Sequence, residues 1–137
     1  MTHREIWDYK GMRAVQRYTA EGVATVELTG LVTPLTLAEL QRDCYECMKQ
    51  AQVCALIVDF RGAVMLAEVE DVPRSLGKMQ PEISAKPVAN ICLAIDELLF
   101  LSHAWGMCRR GMMRAVFLDS IDALSWALDR CAVSATL

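Results

Sequence analysis

The side chains best suited to chemistry in this sequence are few: the pair Cys44 and Cys47, His103 inside an apolar run, Asp59 closing another, and Ser75 just after Pro73. A Cys-x-x-Cys pair holds zinc when two further ligands stand at matching spacing, and neither His3 nor His103 belongs to a second pair. A redox pair belongs at a helix N-terminus after a strand, where the dipole lowers the thiol pKa. Cys44 and Cys47 instead fall well inside a periodic run, so both read as core. His103 and Cys108 stand five apart, on different faces of a helix, which leaves His103 a structural or interface residue. Asp59, with Glu68 as a partner, could form a polar strand-end site, but one carboxylate does not supply both acid and base. Capping a loop amide or pairing with Arg61 is its plainer role. No Gly-x-Ser-x-Gly elbow, dinucleotide turn or phosphate loop occurs. No catalytic constellation, metal site or cofactor is expected.

The elements that would position these residues follow from periodicity. MRAVQRYT and GVATVELTG alternate with period two across Ala20-Glu21-Gly22, which predicts an antiparallel hairpin. Thr36-Leu37-Ala38-Glu39 has the form of a capping box and opens an amphipathic helix carrying Leu37, Leu40, Cys44 and Ala51. Ala55 to Phe60 is apolar on both faces except for Asp59, the pattern of a central strand. Pro73 can open a short helix that Pro81 and Pro87 bracket. Val88 to Ile95 reads as a second buried strand. Asp96 caps a helix over Leu98 to Cys108, ended by Gly111, and Arg114 to Leu118 is a third parallel strand. Asp119 to Asp122 cap a last helix with Ile121, Leu124, Leu128 and Cys131 on one stripe. The order β-β-α-β-α-β-α-β-α predicts one α/β domain over 1–137, with a mixed sheet of about five strands, an N-terminal antiparallel hairpin and about four helices. Residues 1–11 are expected to form an N-terminal extension.

A net charge of -3 gives no electrostatic footprint for nucleic acid, and the one basic cluster is Arg109-Arg110 with Arg114. No run approaches the roughly 18 apolar residues of a membrane span, and the charged start MTHREIWDYKGM lacks a signal-peptide core. The expectation is a cytoplasmic protein, not integral to a membrane. All six cysteines fall in apolar periodic runs and read as reduced core residues.

This order, the strand ALIVDFRGA and the ending RAVFLDSIDALSWAL make residues 12–131 resemble the STAS fold, named for sulfate transporters and anti-sigma-factor antagonists. More narrowly, the chain looks like the sporulation protein IIAA-like group. The resemblance implies a regulatory module that docks on a protein partner. Members carry an Asp-Ser-Ser-Gly-like motif after this strand, where phosphorylation of a Ser adds charge and breaks docking. Laid without gaps, Ala67, Glu68, Val69 and Glu70 stand in those places, so the phosphoswitch is expected to be lost. With a loop longer by about one turn, Ser75 would enter the first turn of the next helix and become the one candidate phosphosite.

Leu98 to Trp105 is apolar nearly all the way round, more than one sheet face needs. With Leu98, Leu101, Trp105 and Cys108 taken as the core stripe, Leu99, Phe100, His103, Ala104 and Met107 are left for a partner or an apolar ligand. Arg109 and Arg110 at the same helix end could meet an anionic group or complement the helix dipole. A homodimer is the simplest occupant of that patch. The expected function is therefore a non-enzymatic interaction module. The alternative is a binder or carrier of a lipid or other apolar small molecule, held in a Met-lined cleft.

Overall fold

In the computed structural model, which describes residues 4–66 and 86–136, the strands are β1 Arg4–Tyr9, β2 Met12–Tyr18, β3 Val23–Val32, β4 Ala55–Met65, β5 Val88–Ile91 and β6 Arg114–Phe117. They form one sheet in sequential order. β1 to β3 pair antiparallel and β3 to β6 pair parallel. The mixed sheet and hairpin match the expectation, but the sheet has six strands. The added one comes from the segment read as an extension, where a Lys10-Gly11 turn lets residues 4–9 fold back on β2. Gly30 is needed beside that turn, because a Cβ there would run into the Gly11 carbonyl oxygen.

Three α-helices stand among the described residues: α1 Pro34–Ala51, α2 Glu97–Arg109 and α3 Ser120–Thr136. The short helix expected from Pro73 lies outside the described residues, as do Glu68 and Ser75. Each parallel crossover steps to the next strand in the same direction, so right-handed connections put α1 and α2 on one sheet face. There Leu37, Leu40 and Cys44 of α1 pack on Met12, Ala14, Val26, Leu28 and Leu56. Phe100 of α2 meets Phe60 of β4 at 5.0 Å between ring centroids. α3 takes the opposite face, over Val23, Ala55, Ile57, Ala89 and Ile91.

The helix ends are set by local chemistry. α1 begins earlier than the sequence suggested: Thr33 is the cap, Pro34 the first residue, and Thr36 returns the bond. The Thr36 amide donates to Thr33 Oγ1 at 3.2 Å and the Thr33 amide to Thr36 Oγ1 at 2.9 Å. Tyr9 ties the edge strand to α1 through a 2.6 Å hydrogen bond from its hydroxyl to Asp43. Burial first, then that carboxylate, push the Tyr9 phenol well above its ordinary pKa. α2 closes as expected at Gly111, φ +83, whose amide donates to Cys108 O while Met112 donates to Met107 O. α3 is capped by Asp119 Oδ1, which accepts from the Asp122 amide at 2.8 Å.

Two expectations are corrected. The α3 core row is Ala123, Ala127 and Cys131, whereas Ile121 is 79% exposed and Leu124 lies at the surface. Small side chains let the helix settle close to the sheet, and that selects them over the leucines. Cys54 and Cys131 are also not reduced core thiols but form a disulfide, with Cα atoms 5.5 Å apart. Cys54 precedes β4 and Cys131 is one step along the row from Ala127, so close packing of α3 brings the two into bonding range.

Past Asp59 the central strand is longer than expected and bulged. Glu27 pairs with Asp59 but Thr29 pairs with Gly62, so β4 carries one extra residue at Phe60 and Arg61. The bulge shifts the alternation: Phe60, Ala63 and Met65 all pack toward the α1 face, while Gly62 and Val64 are exposed.

Candidate functional site

Parallel strands in α/β proteins present their carboxyl ends as the usual place for ligands and partners. Among the described residues that rim carries exposed apolar side chains. Leu66 follows β4, Leu93 and Ile95 follow β5, and Leu118 and Ile121 follow β6; all five are exposed. Ile95, at 89%, lies in a 3₁₀ turn, Ala94–Asp96, that leads straight into α2.

Two aspartates of the rim are engaged within the chain. Arg61 grips Asp59 through two side-chain bonds, Nε to Oδ1 at 3.0 Å and Nη2 to Oδ2 at 2.8 Å, and its amide adds a third at 3.0 Å. Partial burial pushes the Asp59 carboxyl up, but the Arg61 hydrogen bonds and charge together outweigh it and hold the pKa below the ordinary carboxylate value. Asp119 is held low mainly by the amide of Asp122, in its capping role. Neither aspartate is a free base, and Asp59 takes the pairing role expected for it. Among the described residues no group of three or more His, Cys, Asp or Glu side chains could hold a metal ion.

The two faces of α2 are the reverse of the expected ones. Phe100, His103, Ala104 and Met107 are buried against the sheet. Leu98 is 82% exposed, Leu101 44% and Trp105 67%, and Cys108 is exposed too. Of the residues expected to form an interface, Leu99 alone is at the surface; the rest are core. The cause lies in the sheet, where Phe60 and Arg114 offer an aromatic ring and a guanidinium to α2. Phe100 packs on that ring, and His103 lies near enough to Arg114 for the guanidinium charge to lower its pKa. Both candidate stripes are apolar, so periodicity carries no signal that chooses between them.

His103 sits there at a cost. Among the described residues its Nδ1 has no hydrogen-bond partner. Burial first and then the charge of Arg114 hold its pKa below the ordinary 6.5, keeping the ring neutral. Arg114, grouped by sequence with Arg109 and Arg110, is buried and donates to the carbonyls of Lys86 and Met113, both at 2.9 Å. Burial lowers its pKa as well. Arg109 and Arg110 remain exposed at the end of α2. No helix among the described residues is long and apolar enough to cross a membrane.

No family model and no curated protein sequence matches the chain. Solved structures do. One is an anti-sigma factor antagonist from Mycobacterium paratuberculosis, similar over 93% of this chain and 94% of that one, with 13% identity and a TM-score of 0.53. Another is an uncharacterised protein of the DUF3478 family with a SpoIIAA-like fold, from Shewanella loihica PV-4, similar over 92% and 93%, with 18% identity and a TM-score of 0.55. A sheet of this order, helices of α1 and α2 on one face and α3 on the other, and these similarities over nearly the whole chain lead to one conclusion: the protein has the SpoIIAA-like, STAS-type fold.

Proposed function

We propose that this chain is a non-enzymatic regulatory module of STAS type, which docks on a protein partner through the carboxyl-end rim and self-associates as a homodimer. The observation that carries this reading is the rim itself: five exposed apolar side chains, with Asp59 and Asp119 occupied by internal bonds. An exposed apolar concentration of this kind marks contact with another molecule. The similarity to an anti-sigma factor antagonist supports a regulatory protein as that molecule. Ala67 to Glu70 in place of a Ser-bearing motif supports docking without a phosphoswitch. If phosphorylation acts at all, Ser75 is its site, and phosphopeptide mapping of protein from the native host reads this directly.

The docking reading is tested by placing a photo-crosslinking amino acid at Ile121 or, as a control, at Thr29 on the open sheet surface. In native-host cells, Ile121 should yield a discrete protein adduct that Thr29 does not. Equal labelling from both positions would sink the reading. A cytoplasmic setting belongs to the same reading, and counting thiols on alkylated cell protein tests it: a reducing compartment leaves Cys54 and Cys131 alkylatable.

A carrier of an apolar small molecule is the second reading. An otherwise apolar ligand bearing one polar group would satisfy Gln16, which is fully buried with neither side-chain amide atom hydrogen-bonded among the described residues. Native mass spectrometry should then find a co-purifying small mass that Gln16→Leu releases; a bare chain removes this reading.

A further inference from the structure

The outer face of α2 has a pattern that fits a copy of itself. Leu98, Leu101, Trp105 and Cys108 recur at spacings of three, four and three, the seam of a helix pair, and all are exposed. Between them Ser102 and Gly106 are small and exposed, and a Cβ added at Gly106 would meet no atom within 4 Å. A neighbouring helix can therefore approach closely. The charges are segregated along the helix. Glu97 lies in the first turn and Arg109 in the last, with Arg110 just beyond. Among the described residues none of these three forms a salt bridge within the chain.

These features choose an orientation. In a parallel pair the Arg109 and Arg110 ends would meet their own copies, and the helix dipoles would run side by side in the same sense. In an antiparallel pair with a two-fold axis at the level of residue 103, Leu98 faces Cys108 of the copy and Leu101 faces its Trp105. The acidic end of each helix then lies beside the basic end of the other, within the roughly 8 Å over which such charges act. Both layers repeat under the two-fold, as a self-complementary interface requires. We propose that α2 is the homodimer seam, antiparallel, with Leu101 and Trp105 of each copy forming the central layer. This rests on the docking reading above and assigns its self-association to a surface separate from the rim.

Sedimentation velocity from roughly 1 µM to 1 mM, the span of a modest interface, should show a monomer–dimer equilibrium in the intact chain. Trp105→Asp should shift it at least about tenfold toward monomer, with the melting temperature unchanged when both chains are compared at a concentration where they are monomers, because Trp105 is exposed on the isolated chain. Glu97→Arg and Arg109→Glu should each weaken the dimer, and the two together should restore it. Leu98→Cys should give a covalent dimer on diamide treatment, dependent on Cys108, while the unsubstituted chain should not. A monomer throughout the range overturns the seam, as does a dimer that survives Trp105→Asp. Cross-linking through Cys108 alone overturns the antiparallel order. A monomer that binds phosphatidylglycerol vesicles through Trp105 assigns the face to a lipid surface and overturns it too. In all these cases the Ile121 adduct still judges the rim separately, and loss of that adduct in a chain that dimerises sinks rim docking without touching the seam.

Discussion

Helices α2 and α3 flank the same sheet from opposite sides, yet they are attached in different ways. α3 lays small side chains on it, Ala123 and Ala127, and adds a covalent bond from Cys131 to Cys54. α2 lays the larger side chains Phe100, His103 and Met107 and brings a titratable ring near the buried Arg114. Close approach with small residues leaves little to adjust. Large residues with an unpaired nitrogen leave an attachment sensitive to proton concentration. The contrast teaches that apolar content does not measure how firmly an element is held; the size and polarity of the inward row do.

The largest test of that contrast is to cut the covalent tie. The bridge spans 77 residues, and by loop-closure entropy Cys131→Ser should cost about 4 kcal/mol in a denaturant titration under non-reducing conditions. A loss near zero would mean that α3 is held by packing alone. Phe100→Ala should cost about 3 kcal/mol, because it deletes a buried ring paired with Phe60, and should leave self-association intact. Weakened association with unchanged stability would return Phe100 to the surface and reverse the two faces of α2. Ala127→Leu should cost about 2 kcal/mol by overpacking the close α3 contact, while the same exchange at exposed Ala38 should be neutral.

The pH test separates the helices by chemistry. The folded-state pKa of His103 lies below its unfolded value, so its neutral form contributes full stability above about pH 6.5. That contribution is lost as pH falls through the lower folded value. Asp59, also held low, contributes stability above its ordinary 3.8 and loses it at more acid pH. The melting temperature should therefore decline in two windows, and His103→Gln should remove the less acid one alone. If the slope below pH 6.5 persists in His103→Gln, the titrating group is elsewhere. The smallest effect expected is Trp105→Ser, within about 0.5 kcal/mol of the parent chain, since surface substitutions seldom do more.

Much of the architecture was legible because it rests on short-range signals. Asp119 and Gly111 announce helix ends within a few residues, and the alternation of Val23 to Leu28 announces a strand half-buried on each side. What the sequence left hidden depended on partners far along the chain. The inward face of α2 was decided by Phe60 and Arg114, the inward row of α3 by how near the helix could come, and the Cys54–Cys131 bond by that same approach of α3. Thr33 was passed over as the α1 cap because Thr36 and Glu39 offer a more familiar signature. The apolar rim was missed because Leu66, Leu93, Ile95, Leu118 and Ile121 belong to three separate segments that converge at one edge of the sheet.

The extra residue at Phe60-Arg61 has a bearing on how this central strand can change. Beyond it, inside and outside are set by counting from the bulge, not by the side chains themselves. Removing that one extra residue would leave plain alternation with Ala63 and Met65 still inward and the β3 pairing unchanged, whereas adding one more would turn Ala63 and Met65 toward water and drive Val64 inward, so the segment should accept a loss of one residue there far more readily than a gain.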